Sequence, residues 1–305
     1  MIDECPVARP TWETVRSVDA VLYYTWEREA IRLARENGHT APYTSDPILA
    51  RYKFTNVRRR DDRVSRWIIE NLIEPAVDNV DEYLWFTLLI ARLINWPPSL
   101  RALIDAGVLP TSPSEFDAEE FIRVVEGCKA DGKKVYSGAY MVYPTRAEPS
   151  APKSRLLAER ILSGVIANSE AIHRVVWLDD TLSVRSIVEI LAQCFGISTF
   201  MAGQATADLT YTGLEFSDLY TYAPIGPGSS RGLNYLFNRA PGAGWGQDDF
   251  NRKLIDIRGE IIVRLEIEDL TLHDVQNVMC EYSKYARAVL GEGMPKNLYT
   301  PEQEF

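Results

Sequence analysis

Apolar residues return every three or four positions through most of the chain, the spacing that lines one face of an α-helix. Over residues 12–37 this pattern runs through a Glu-, Arg-, Leu- and Ala-rich stretch and stops at Gly38, where a helix C-terminus favours glycine. It predicts one long helix or a helix pair. Residues 61–77 repeat the spacing through Val64, Trp67, Ile68, Leu72 and Ile73, and residues 82–95 do so until Pro97 and Pro98 end it. Further helices are predicted over 99–105, 117–129, 154–168, 183–193, 249–260 and 272–290. Strand signals are sparse, the best being 135–143 with its β-branched and aromatic residues. The pattern as a whole predicts a mainly α protein.

A chain of 305 residues with 46% hydrophobic and 25% charged residues can bury a sizeable core, so one compact domain over 1–305, bilobed, is expected. The proline-rich stretch 143–153 could link two helical lobes, and APIGPGSS at 223–230 reads as a second loop. Residues 291–305 read as an extended surface tail. The apolar runs at 20–24 and 84–94 fall short of the ~20 residues a membrane helix needs. The first ten residues, MIDECPVARP, have acidic groups where a signal peptide has a basic start, so a cytoplasmic location is expected.

Cys5, Cys128, Cys194 and Cys280 form no CxxC pair, and His39, His173 and His273 are scattered, so neither a disulfide framework nor a transition-metal site is expected. The net charge of −10 argues against indiscriminate polyanion binding. Against that background, RYKFTNVRRRDDRVSR at 51–66 carries seven basic and two acidic residues. One reading is a solvated helix start with Asp61 and Asp62 at the positive end of the dipole. The other is a phosphate-gripping surface, because guanidinium forks match phosphate oxygens.

LAQCFGISTFMAGQATADL, at 191–209, resembles the helix-hairpin-helix element of the base-excision DNA glycosylases, in which a Gly-containing turn offers backbone N–H groups to a DNA phosphate. Gly196, Ile197 and Ser198 occupy the turn, with Ser where the superfamily has a second Gly, and the element is expected over about 184–210. An ordinary helix–turn–helix corner would read the same way. In that superfamily a catalytic Asp follows the first turn Gly by about 22 residues, which leads to Asp218. The nucleophilic Lys of the strand-cleaving members falls at Phe200, so a Schiff-base step is not expected.

Taken with ARLIN at 91–95, SGAYMVY at 137–143, GPGSSRGLN at 226–234 and LHDVQNVMCEYSKY at 272–285, these stretches resemble the alpha-glutamyl/putrescinyl thymine pyrophosphorylase family over about residues 51–287. That family includes phage amino acid:DNA transferases and is related to the helix-hairpin-helix glycosylases. The resemblance implies a glycosylase-like helical fold with two lobes and a site between them. It implies a reaction in which an amino acid or polyamine displaces pyrophosphate from pyrophosphorylated 5-hydroxymethyluracil in DNA, and a separate DNA kinase as functional partner. No GxxxxGK[ST] loop is present in the chain.

Under that reading the amine must lose a proton, and Asp218, then Asp208, then Glu281 are the candidate bases. Departing pyrophosphate needs cations, for which Arg58, Arg59, Arg63 and Arg231 are candidates. Asn56, Arg59, Asp62 and Arg63 fit the family's Asn-x-x-Arg-x-x-Asp-Arg pattern, although a buried structural network would look alike. Gly228, Ser229 and Asn234 lie around a predicted helix start that would suit a phosphate, or serve as a plain turn and N-cap, and Lys284 could reach one. Arg58 and Arg66 depart from the family's more usual aromatic and Gln, adding positive charge. No cofactor is required, though Mg²⁺ could accompany pyrophosphate. The competing readings are a monofunctional glycosylase and a non-catalytic DNA-binding module.

Overall fold

The computed structural model describes residues 5–77, 82–138, 151–178 and 181–300. The protein is mainly helical, and among the described residues no strand forms; Tyr52 and Leu298 make an isolated antiparallel bridge. The strand expected over 135–143 is absent at 135–138, where the Val135 carbonyl is taken by Ser99 Oγ (2.8 Å). Residues 139–143 lie outside the described residues.

The chain divides into two compact units, Met1–Asp62 with Leu219–Glu304, and Arg63–Asp218. Residues 143–153, expected to link two lobes, fall inside the second unit, and most of them lie outside the described residues.

In the first unit, the long helix expected from residue 12 begins at Val18, because Ser17 accepts the Ala20 N–H (3.2 Å) and caps it there. Val21, Leu22, Tyr24 and Ile31 of this helix join Phe250, Leu254, Ile257 and Ile261 of the Gln247–Leu265 helix in one core. The Leu272–Val289 helix, started by a reciprocal cap between Thr271 and Asp274, contributes Val275, Met279 and Tyr282 to the same core. Fourteen of its residues are buried, so it is wrapped on nearly every side and its polar side chains need partners inside the protein. The Pro227–Leu236 helix lies directly against it: a Cβ at Gly232 would collide with the Met279 carbonyl oxygen, and one at Gly228 with the Cys280 sulfur. The tail after Gly291 is not a loose surface segment throughout. Lys53 donates its N–H to the Asn297 carbonyl (2.9 Å), and Tyr299 to that of Arg51 (2.9 Å).

In the second unit, every residue of the Leu84–Ile94 helix is buried, which explains its mostly apolar run, broken only by Thr87 and Arg92, without a membrane. No helix among the described residues is long and apolar enough to cross one. The helix expected over 61–77 forms as Arg63–Ile68 and Glu74–Val77 around a wider π turn at Ile69–Ile73, next to Pro75, which has no N–H to give. Helices Val184–Leu191 and Thr199–Leu209 are joined by a tight turn in which Gly196 holds φ +77. A side chain on Gly196 would also meet Ile161 at 2.8 Å.

Candidate functional site

Residues 54–62 form a loop fastened to two of the long helices of the first unit, Val18–Glu36 and Leu272–Val289. Phe54 anchors its start in the core, edge-on to Tyr24 with ring centroids 5.8 Å apart. Asn56 then closes the loop, donating its backbone N–H to Asp62 Oδ1 (2.8 Å) and its side-chain amide to the Asp61 carbonyl (2.7 Å). Arg28, four residues after Tyr24 and so on the same helical face, donates to the Phe54 and Thr55 carbonyls (both 3.1 Å) and to Asn56 Oδ1 (3.4 Å). From the Leu272–Val289 helix, Asn277 donates to the Asn56 carbonyl (3.0 Å), and Asp274 accepts the Arg59 N–H (2.8 Å). Glu281 accepts the Thr55 N–H (3.3 Å) and pairs with Lys284. The Asn-x-x-Arg-x-x-Asp spacing is thus the spacing of one closed loop.

The electrostatics single out Asp62. Burial pushes its carboxyl up to about 7, the nearby Glu281 adds to the rise, and the Asn56 N–H, Arg59 and Arg28 oppose it. Its side chain is only partly covered, whereas Arg28, Arg59, Asn56 and Glu281 are buried. Asp274 is raised by the same burial. Burial and Glu281 push the Cys280 thiol up to about 11, against Lys284, Arg59 and Arg231. Tyr24 faces the same groups: burial, Glu281, Cys280 and Asp62 hold its phenol well above the ordinary value, with Arg28 opposing. Its hydroxyl, on a side chain 1% exposed, has no hydrogen-bond partner among the described residues. Tyr24, Arg28 and Asn277 were not selected from the sequence. Tyr24 and Arg28 lie in a long amphipathic helix whose pattern announces packing, and only the fold shows that one turn of it faces a charged loop.

The other candidates separate into two groups. Arg58 is spent on Glu29 (2.7 Å) and the Glu268 carbonyl (3.1 Å), a neutralised position for a residue expected to meet phosphate. Asn234 is fully buried, donating to the Pro241 and Ala243 carbonyls (3.2 and 2.9 Å) and accepting from Trp245 Nε1 (2.8 Å). Ser229 is fully buried in the cap of its own helix, and Gly228 serves close helix packing. Asn234 and Ser229 are corrected from phosphate contacts to structural positions, because buried polar groups satisfied inside the fold present nothing to a ligand, and Gly228 is accounted for by the close approach of Cys280. Arg231 is exposed, and its charge is felt by Cys280 on the Leu272–Val289 helix.

In the second unit, Asp208 is fully buried and gripped through both oxygens by Arg92 (2.5 and 2.6 Å). Arg92 also donates to Ser65 Oγ (2.8 Å) and Asn95 Oδ1 (3.2 Å), and Asn95 to Ser137 Oγ (2.7 Å). The ARLIN residues and the start of SGAYMVY therefore meet in one network, the rest of the latter lying outside the described residues. Asp218, selected by its distance from Gly196, accepts the Val184 and Arg185 N–H groups (2.6 and 2.9 Å). Its carboxylate caps the Val184–Leu191 helix, a role that produces the same spacing. In the turn itself Gly196 and Ser198 are exposed, Ile197 is buried, and Ser198 caps the following helix through the Met201 N–H (3.2 Å). Arg63 opens the second unit, partly covered. Among the described residues no three His, Cys, Asp or Glu side chains gather as a metal cluster.

With this geometry in place, the chain can be compared with known proteins. Residues 15–294 match the family described as 5-hmdU DNA kinase, helical domain, and the chain belongs to that family. A 5-hmdU DNA kinase of Bacillus phage SP10 is 26% identical over 297 residues, a match that covers 85% of this chain. The chain spans 42% of the length of that relative, less than half of it. No solved structure matches.

Proposed function

We propose that this protein takes part in the modification of 5-hydroxymethyluracil in phage DNA, and that the Asp62 loop carries a transfer step on the modified base. In that step the amine of an amino acid or polyamine attacks the exocyclic carbon of pyrophosphorylated 5-hydroxymethyluracil. A C–N bond forms, the C–O bond to pyrophosphate breaks, and pyrophosphate leaves with the bonding electron pair. The proton lost by the ammonium donor passes to Asp62. The observation that carries the reading is Asp62 itself: a partly exposed carboxyl held at about 7 can be ionised when the amine arrives and still take up its proton. Lys284 and Arg231 both act electrostatically on Cys280, and in this proposal they supply positive charge for the departing polyanion, Lys284 by exchanging its pairing with Glu281. Asp218, expected as the base, is committed to its helix cap, so Asp62 takes that role in the proposal.

One observation favours a second reading. The chain matches part of a protein named as a kinase, so this helical portion would hold the DNA substrate for phosphorylation carried out elsewhere in such a protein. Residues 127–134, GCKADGKK, approach the phosphate-loop pattern but end in Lys134. They span the C-terminal end of the Ala118–Ala130 helix, where carbonyls rather than N–H groups face outward.

The test is mass spectrometry of nucleosides from 5-hydroxymethyluracil DNA, treated with a phage DNA kinase and ATP, then with this protein and a pool of amino acids and polyamines. A mass gain equal to one amine donor, with pyrophosphate released, supports transfer. Loss of the base as a free molecule would make the protein a glycosylase. An unchanged pyrophosphorylated base would leave the substrate-holding reading.

A further inference from the structure

A concave surface in the first unit shares no residue with the Asp62 loop. It is an open cavity of about 700 Å³ whose lining includes Phe237, Arg239, Trp245, Arg252 and Lys253 and also the carboxylates Asp249 and Asp256. Two aromatic rings form its floor, Phe237 and Trp245, edge-on with centroids 6.0 Å apart. The indole is fixed from behind, since Trp245 Nε1 donates to Asn234 Oδ1 (2.8 Å) and Asn234 is itself locked by the Pro241 and Ala243 carbonyls. Arg239 lies over the indole at 4.0 Å, steadied by the Gly244 carbonyl (2.8 Å), and Lys253 lies over Phe237 at 5.1 Å. Arg252 and Lys253 make exposed ion pairs with Asp249 and Asp256, which water and salt weaken and a phosphate can replace. The lining is cationic by one charge on a chain whose total is −10.

Phe237 is 39% exposed in a setting where a core role would have covered it. Aromatic rings in an open lining with a guanidinium stacked on the indole have the composition that holds unpaired nucleotides: bases stack on aromatic and guanidinium planes and phosphates meet the cations. A paired duplex keeps its bases stacked on one another and offers no π-face to such a floor. We infer that this groove, built on Phe237 and Trp245, binds a single strand of DNA, separately from the Asp62 loop. The inference rests on the function proposed above only in taking DNA, rather than another polyanion, as the occupant.

The test uses the full chain and an unmodified, fluorescein-labelled oligothymidylate of about twelve nucleotides, a length of the order that single-strand sites cover, followed by anisotropy at several salt concentrations. The wild type should bind with a salt-dependent affinity. Phe237→Ala should weaken binding about five- to twentyfold. The double variant Arg252→Ala, Lys253→Ala, both exposed and removable without disturbing the fold, should weaken it and lower the salt slope by about 1.4. Lys129→Ala, an exposed cation of the second unit, should bind as the wild type. Wild-type affinity in both groove variants would overturn the inference, as would absence of single-strand binding. Full competition by thymidine monophosphate at matched nucleotide concentration would overturn it too, by making the site one for a free nucleotide. Because the probe carries no modified base, these outcomes are separate from transfer: Asp62→Asn should bind the probe as the wild type does. If transfer failed in every arm while the groove variants lost binding, the transferase reading would fall and this one would stand.

Discussion

The backbone N–H of Asn56 points at Asp62 Oδ1 from 2.8 Å, and it is a direct hydrogen-bond donor recorded for a carboxyl that burial and Glu281 otherwise drive toward its neutral form. One donor, with Arg59 and Arg28 behind it, leaves Asp62 balanced between its two protonation states at neutral pH.

Asp62→Asn should therefore abolish transfer, and wild-type turnover should rise with pH through about 7 as the base ionises. A pH–rate profile on pyrophosphorylated DNA checks this, and a flat profile between 5 and 8 (roughly the span a group of pKa about 7 governs) would remove Asp62 from the role.

The same residue should cost stability. A carboxyl raised from 3.8 to about 7 binds its proton more tightly folded than unfolded, so stability is highest below the unfolded value and falls as pH rises from about 4 to about 7. The Asn variant should remove that fall and gain on the order of 2 kcal/mol at neutral pH. Urea denaturation of both proteins at pH values on either side of that window measures it.

Asp218→Ala should behave in the opposite way. Losing a cap that holds the Val184 and Arg185 N–H groups should cost about 1–2 kcal/mol while the folded fraction keeps its turnover. Active-site-normalised turnover beside a thermal melt separates the two residues; loss of chemistry with unchanged stability would return the base role to Asp218.

Asp208→Asn should be severe, because it strands the buried Arg92 guanidinium, at a cost of about 3–5 kcal/mol. Replacing both partners, Arg92→Met with Asp208→Leu, should recover much of it. Equal destabilisation in the single and double variants would show that Ser65 and Asn95, not the ion pair, carry the network.

Gly232→Ala places a methyl group against the Met279 carbonyl and should destabilise the first unit by about 1–3 kcal/mol, whereas Gly259→Ala, with open space around it, should not. Denaturant midpoints of the two variants give the comparison.

How far these features could be read beforehand depends on what kind of spacing carried them. Helix periodicity is local, so the Leu84–Ile94 and Leu272–Val289 helices were legible almost to the residue. The Asn56 and Asp62 pairing was legible as a cluster because its bonds also close within a few residues, whereas Arg59 bonds to the distant Asp274. Asp218 reads two ways for a physical reason: a carboxylate at a fixed distance from a helix turn is what a cap needs as well as what a catalyst needs. Tyr24, Arg28 and Asn277 were hidden because their partners are remote in sequence, and a tyrosine in an apolar helical stripe reads as core until the loop is placed over it.

The division of the chain has a consequence for its synthesis. The first unit is assembled from residues up to 62 and from 219 onward, so Asn56 must wait for Asn277 to leave the ribosome before their bond can form. The intervening unit, continuous from Arg63 to Asp218, is available whole long before that. Synthesis therefore permits an order in which the inserted unit folds through its own contacts before the Asp62 loop receives its bonds from the Leu272–Val289 helix.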